Sequence, residues 1–194
     1  MPVTTAGSPA TLSQPQTRLV SGKPSPVRMG LIGCGAFARF SMQQYRNLPG
    51  VSIDVVADIH PDAARRAATE LNAMEVAPDA VVTWPDLDLV YIATPPALHF
   101  AQARAALLAG RHVLVEKPLA TTVADAQELD ALSTERGRVC VANLIERYNP
   151  LARATKQIID ENLLGELIHG LFINEARSEE HTSELQSRQY LVCR

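Results

Sequence analysis

Cysteine is scarce in this sequence, with three residues in 194, and Cys34, Cys140 and Cys193 lie far apart with no Cys-x-x-Cys pair. Such spacing argues against a disulfide framework and against a structural zinc site, and it fits a reducing, cytoplasmic setting. Aromatic residues reach only 5%, within a hydrophobic total of 46%, so the core has to be built from Ala, Val and Leu. Long apolar runs are missing as well: none approaches the roughly 20 residues that a membrane helix needs, and no membrane partner is expected. Basic charge is not in excess, since 18 Lys+Arg stand against 21 Asp+Glu for a net charge of −3. A nucleic-acid partner would call for a basic stripe, and none is seen. The five histidines do not cluster, and nothing argues for a metal.

Both ends differ from the middle. Within residues 1–26, Pro, Ser, Thr and Gly fill 15 positions, with no apolar stretch that could form the centre of a secretory signal. This segment is expected to be a disordered leader. Residues 177–194 (RSEEHTSELQSRQYLVCR) are polar and charge-mixed, and they resemble translated adapter sequence. An artefactual or disordered tail is expected there, the alternative being a native polar helix. Residues 27–176 remain, with 13 basic and 18 acidic side chains. Lysine is rare in this stretch: Lys117 and Lys156 stand against eleven arginines, so each lysine is a pointed choice.

What is present is an alternation of apolar strands and amphipathic helices. Strands are predicted at Val27–Ile32, Ser52–Ala57, Leu87–Ala93, His112–Val115 and Arg138–Ala142. Helices are predicted from Ala36 to about Asn47, from Pro61 with a small-residue face of Ala63, Ala64, Ala67, Ala68 and Leu71, from Ala97 to Ala109, and from Thr122 to Arg136. Gly110 is placed to cap the third of these, and Thr122 with Asp125 forms a capping-box-like start to the fourth. Near-continuous apolar strands suit a parallel sheet covered on both faces. The fold class is therefore α/β, a doubly wound parallel sheet of Rossmann type. Beyond Ala142 the rhythm changes. Asn149 and Pro150 start a helix to about Glu161, and an alternating strand, Leu167–Ile173, would begin a second, α+β domain.

Gly33-Cys34-Gly35-Ala36-Phe37-Ala38 follows the first strand and opens the first helix with the spacing G-x-G-x-x-A. Gly33 permits the tight turn, Gly35 lets backbone approach a pyrophosphate, and the small Ala38 allows close packing of helix on strand. The amides of Ala36, Phe37 and Ala38 would then face the phosphates at the positive end of the helix. Asp58, at the end of the second strand, can accept hydrogen bonds from ribose hydroxyls and would repel a 2′-phosphate, which favours NAD over NADP. The alternative for Asp58 is a cap for the helix after Pro61. Arg65 and Arg66 nearby keep NADP open.

Three further stretches, Ala93-Thr94-Pro95-Pro96-Ala97-Leu98-His99, Val115-Glu116-Lys117-Pro118-Leu119 and Asn143 to Pro150 (NLIERYNP), complete a pattern that resembles the Gfo/Idh/MocA family of nicotinamide-dependent oxidoreductases over about residues 27–176. The Glu-Lys-Pro after a strand is the most specific element. The resemblance implies that Thr94 and Pro95 shape the wall beside the cofactor, that His99 sits in that wall, and that Glu116 and Lys117 border the nicotinamide. It also implies that the Lys117-Pro118 bond is often cis. Lys117 is the candidate catalytic residue, because an ammonium beside a hydroxyl oxygen stabilises the alkoxide that develops as hydride leaves carbon.

On this reading the chain has a cofactor-binding domain at 27–142 and the truncated start of a substrate and oligomerisation domain at 143–176. The expected substrate is a sugar, cyclitol or related polyol, and the full-length protein is expected to be a homo-oligomer. As written, the chain should bind cofactor weakly and turn over poorly or not at all. A non-catalytic dinucleotide-binding sensor is the alternative, and an imine reductase a third. Two departures from the family pattern stand out. Asn72 to Asp88 is too compressed to assign where relatives have a short strand and helix. The Asp-x-x-x-His that relatives commonly supply from the second domain is also absent.

Overall fold

Every strand pairing in the sheet is parallel, and the strand order places the first strand at the centre. The computed structural model describes residues 25–169, so most of the predicted leader and all of the 177–194 tail lie outside the described residues. The elements are β1 (Val27–Ile32), α1 (Ala36–Tyr45), β2 (Val51–Ala57), α2 (Pro61–Leu71), β3 (Met74–Glu75), α3 (Pro78–Thr83), β4 (Leu89–Ile92), α4 (Pro96–Leu108), β5 (His112–Val115), α5 (Val123–Arg136) and β6 (Cys140–Ala142). The sheet order is β3-β2-β1-β4-β5-β6. Chain direction across the sheet reverses between β1 and β4, and this is where open α/β sheets form a ligand crevice at the carboxyl ends of their strands.

Alternation along the strands divides the core between two faces. On one face Val90, Ile92, Val113 and Val115 pack with Ala103, Ala106 and Leu107 of α4, Leu129 of α5 and Val81 of α3. On the other, Leu31, Val56 and Tyr91 pack with Ala38 and Met42 of α1 and Ala67 of α2. The small residues of α1 and α2 allow those helices to lie close to the strands. The fully buried aliphatic side chains each contribute about 1.5–3 kcal/mol relative to exposure, and these carry most of the fold's stability.

The compressed segment 72–88, which the sequence leaves unassigned, contains a short strand, β3, and a short helix, α3. Asn72 closes α2 in the left-handed region at φ 53°, β3 pairs with β2, and Pro78 occupies the first turn of α3 with Asp79 beside it. Val81 of α3 fits over Gly30, where a Cβ would come within 2.7 Å of the Val81 side chain. The loop that follows is held by Arg111, whose guanidinium donates to the carbonyls of Val82 at 3.3 Å, Trp84 at 2.8 Å and Leu87 at 2.5 Å. The fourth strand is shorter than predicted. Leu87 and Asp88 precede its ladder, and the Asp88 carboxylate accepts the Arg28 backbone N–H at 2.8 Å.

Caps close the helices largely where the sequence places them. Gly110 and Gly137 adopt φ of 75° and 60°, and Thr122 accepts the Asp125 N–H at 3.1 Å. A second compact unit begins at Leu144. It contains a 3-10 turn, Ile145–Tyr148, and α6 (Pro150–Asp160), where the Asn149 side chain accepts the Leu151 N–H at 2.9 Å. Of the strand predicted over Leu167–Ile173, residues 167–169 carry no ladder and 170–173 lie outside the described residues.

Candidate functional site

Gly33 stands at the centre of the crevice. Its φ of 95° lies in the left-handed region, its N–H donates to Ala57 O at 2.8 Å, and a Cβ there would come within 2.6 Å of the Ala93 carbonyl oxygen. The loops after β1, β2 and β4 therefore meet at one residue. Gly35 is different: it is exposed, and a Cβ added to it would meet nothing within 4 Å. The space over the loop at Gly35 is therefore open.

Gly35 is also the N-cap of α1. No side chain caps that end, and no acidic residue lies in the first turn. Ala36 and Phe37 are exposed there, and Ala38 is buried against the sheet. The leading amides of a helix have no intrahelical partner, and they attract an anion through both hydrogen bonding and the helix dipole. By contrast, α2 and α3 carry Asp62 and Asp79 in their first turns, and α5 is capped by Thr122.

Asp58 is fixed at the carboxyl end of β2. Its Oδ2 accepts the Cys34 N–H at 2.7 Å, and its Oδ1 accepts the His60 N–H at 2.8 Å. The carboxylate thus ties the glycine loop to β2. Each oxygen keeps further lone pairs for ribose hydroxyls. His60, not Asp58, is the N-cap of α2.

The turns after β4 and β5 form the other wall. The Thr94 hydroxyl donates to Gln102 Oε1 at 2.6 Å, while Pro95 is exposed. His99 is 1% exposed, with Nδ1 2.7 Å from the Pro118 carbonyl oxygen and Nε2 2.7 Å from that of Thr94. The Lys117-Pro118 bond is cis. Glu116 is buried, and its Oε1 accepts both the Tyr91 hydroxyl and, at 2.7 Å, the Asn143 side-chain amide. Burial, followed by the bond to Glu116, raises the Tyr91 phenol well above its ordinary range, so it stays a donor. Tyr45 packs edge-on against Tyr91 at a ring separation of 5.8 Å. Nothing in the sequence spacing ties Tyr91 or Asn143 to Glu116. Only the adjacency of β4, β5 and β6 reveals that network.

Lys117 is exposed, and among the described residues its ammonium has no ion-pair partner. The other lysine of residues 27–176, Lys156, pairs with Asp160 at 2.7 Å. The structure thus brings the glycine loop, Asp58, Thr94, Glu116 and Lys117 to one edge of the sheet, while His99 lies beneath that edge in its wall.

Residues 27–144 match the profile of an oxidoreductase family with an NAD-binding Rossmann fold, Gfo/Idh/MocA. The chain belongs to this family. Among its Gfo/Idh/MocA relatives, a dTDP-3,4-didehydro-2,6-dideoxy-alpha-D-glucose 3-reductase from Actinomadura kijaniata is 32% identical over 74% of this chain and 44% of its own length. An inositol 2-dehydrogenase/D-chiro-inositol 3-dehydrogenase from Halalkalibacterium halodurans is 32% identical over 72% of this chain and 42% of its own length. A solved 3-ketoreductase from Actinomadura kijaniata, in complex with TDP-benzene and NADP, superposes with a TM-score of 0.68 at 31% identity, covering 73% of this chain and 46% of that one. The chain spans less than half the length of the curated relatives it matches. The family's Rossmann fold is NAD-binding, and among the described residues no helix is long and apolar enough to cross a membrane.

Proposed function

We propose that this chain is the cofactor-binding part of a dehydrogenase that moves a hydride between a sugar, cyclitol or related polyol hydroxyl and a nicotinamide, with Lys117 as its catalytic residue. One observation carries this reading. The Lys117 ammonium is free of ion pairs among the described residues and stands at the carboxyl end of β5, beside the crevice that Gly33, Gly35 and Asp58 border. When bound, nicotinamide accepts or returns the hydride.

The chain's own residues would bind and orient. The amides of Ala36, Phe37 and Ala38 hold the pyrophosphate over Gly35, and Asp58 accepts the adenosine ribose hydroxyls. Because a carboxylate repels a 2′-phosphate, Asp58 supports NAD over NADP. Thr94 and Pro95 line the wall, and Glu116 braces the turn that presents Lys117. The Lys117 ammonium donates a hydrogen bond to the substrate oxygen, which stabilises the alkoxide formed in oxidation and polarises the carbonyl in reduction. The sugar and inositol chemistry named for the relatives supports a polyhydroxylated substrate.

Calorimetric titration of the folded chain with NAD and NADP tests the reading. Saturable NAD binding is expected, weakened about tenfold or more in Asp58→Asn, a loss of about 1.4 kcal/mol or more. A folded preparation that binds neither nucleotide sinks the proposal.

A further inference from the structure

His99 lies in the first turns of α4 at 1% exposure, and both of its ring nitrogens sit 2.7 Å from main-chain carbonyl oxygens, Nδ1 from Pro118 and Nε2 from Thr94. A carbonyl oxygen only accepts. A neutral imidazole has one N–H and one bare lone pair, so it can satisfy one of these contacts and must set lone pair against lone pair at the other. Only a ring protonated at both nitrogens makes two hydrogen bonds in this geometry, and a hydrogen bond from a charged donor is shorter and stronger than a neutral one.

The two carbonyls belong to different turns. Thr94 follows β4 and Pro118 follows β5, next to Lys117. The same helix also holds Thr94 by its side chain, through the bond from its hydroxyl to Gln102. A ring serving only to fill space would not require a polar atom at each of these points.

We propose that His99 is a positioning residue: a buried imidazolium that donates to Thr94 and Pro118 at once, clamping the turn after β4 to the turn after β5 and so fixing the backbone that presents Lys117. The functional value of the clamp rests on the reading of Lys117 given above, whereas the clamp itself can be observed without any cofactor.

The test uses the 194-residue chain labelled with nitrogen-15 in histidine, without nucleotide, in the buffer of the NAD titration. His99 is assigned by through-bond correlation to its backbone. The expected signature is two protonated ring nitrogens, with ring protons slow to exchange. A bare ring nitrogen overturns the proposal and leaves the Lys117 reading untouched. In His99→Phe, which keeps an apolar ring, the slow ring-proton signals are lost and the Lys117 and Leu119 amide resonances are expected to move. The amide resonances of β1 and β2 are expected to stay in place. If His99→Phe does not fold, His99→Gln is read in the same way. Unmoved Lys117 and Leu119 amides in a folded variant overturn the positioning role, even with both ring nitrogens protonated.

Discussion

Gly33 lies against Ala93 so closely that a Cβ on it would come within 2.6 Å of the Ala93 carbonyl oxygen, so that two residues 60 positions apart in the chain are immediate neighbours. Gly33→Ala should therefore strain both its own φ of 95° and the backbone after β4, neither of which can yield cheaply. A loss of about 2–4 kcal/mol in urea unfolding is expected. Gly35→Ala is the control. Its φ of −64° suits any residue and the space above it is open, so stability should stay within about 0.5 kcal/mol while NAD affinity falls about tenfold or more. Equal destabilisation by the two substitutions would contradict the different roles given to these glycines.

A second prediction concerns acid. His112 Nδ1 accepts the Val139 N–H at 3.0 Å, which needs the neutral ring. Burial first, then the Arg138 charge, lowers the His112 imidazole below its ordinary 6.5, partly opposed by Asp88. A group depressed in this way binds fewer protons folded than unfolded. Its contribution is present above the unfolded value and is lost as pH falls through 6.5 toward the folded value. Unfolding free energy should decline over that window. In His112→Asn, which keeps an acceptor but does not titrate, the decline should be shallower. Superimposable pH profiles for the two proteins would remove His112 from the account.

Thiol chemistry offers a third check. Burial, and then the nearby Asp58 charge, pushes the Cys34 thiol up to about 12, and burial pushes Cys140 up to about 11. With Cys193 replaced by Ser, native alkylation near pH 8 should be slow, with Cys34 retarded on the order of a thousandfold relative to the unfolded chain. Mass spectrometry of the alkylated protein reads this directly. Rapid labelling of Cys34 in the folded state would show that the glycine loop opens.

Arg111 is the subject of the fourth. It satisfies three carbonyls from the end of α3 through the loop before β4, and Arg111→Ala should cost about 2–3 kcal/mol in urea unfolding. Arg111→Lys should recover less than half of that, because an ammonium cannot reproduce the planar fork. Full recovery by lysine would mean that charge alone is sufficient.

The sequence was legible where local chemistry and tertiary context agree. The turn at Gly33, the start of α5 at Thr122 and Asp125, and the stops at Gly110 and Gly137 are each dictated within a few residues, and the structure has them in place. The 72–88 segment was not legible. A two-residue strand has no period to read, and Pro78 looks like a breaker until it is seen as the first residue of α3. Its position depends on Gly30 and Arg111, both distant in sequence. Within the site, Asp58 and Lys117 could be singled out from motif and spacing. The bonds from Tyr91 and Asn143 to Glu116, and from His99 to two carbonyls, depend on which strands neighbour one another, which no single segment encodes.

The central place of β1 also has a consequence for synthesis. As the chain emerges from the ribosome, β1, β2 and β3 can assemble into a half-sheet whose other edge, the β4 side of β1, stays unpaired until residues 89–92 have been made. For that interval a buried apolar strand, Met29 to Ile32, is a ready edge for pairing with the wrong chain. Substitutions that slow or weaken β4 should then show first as poor yield of soluble protein, before any loss of nucleotide affinity in the molecules that do mature.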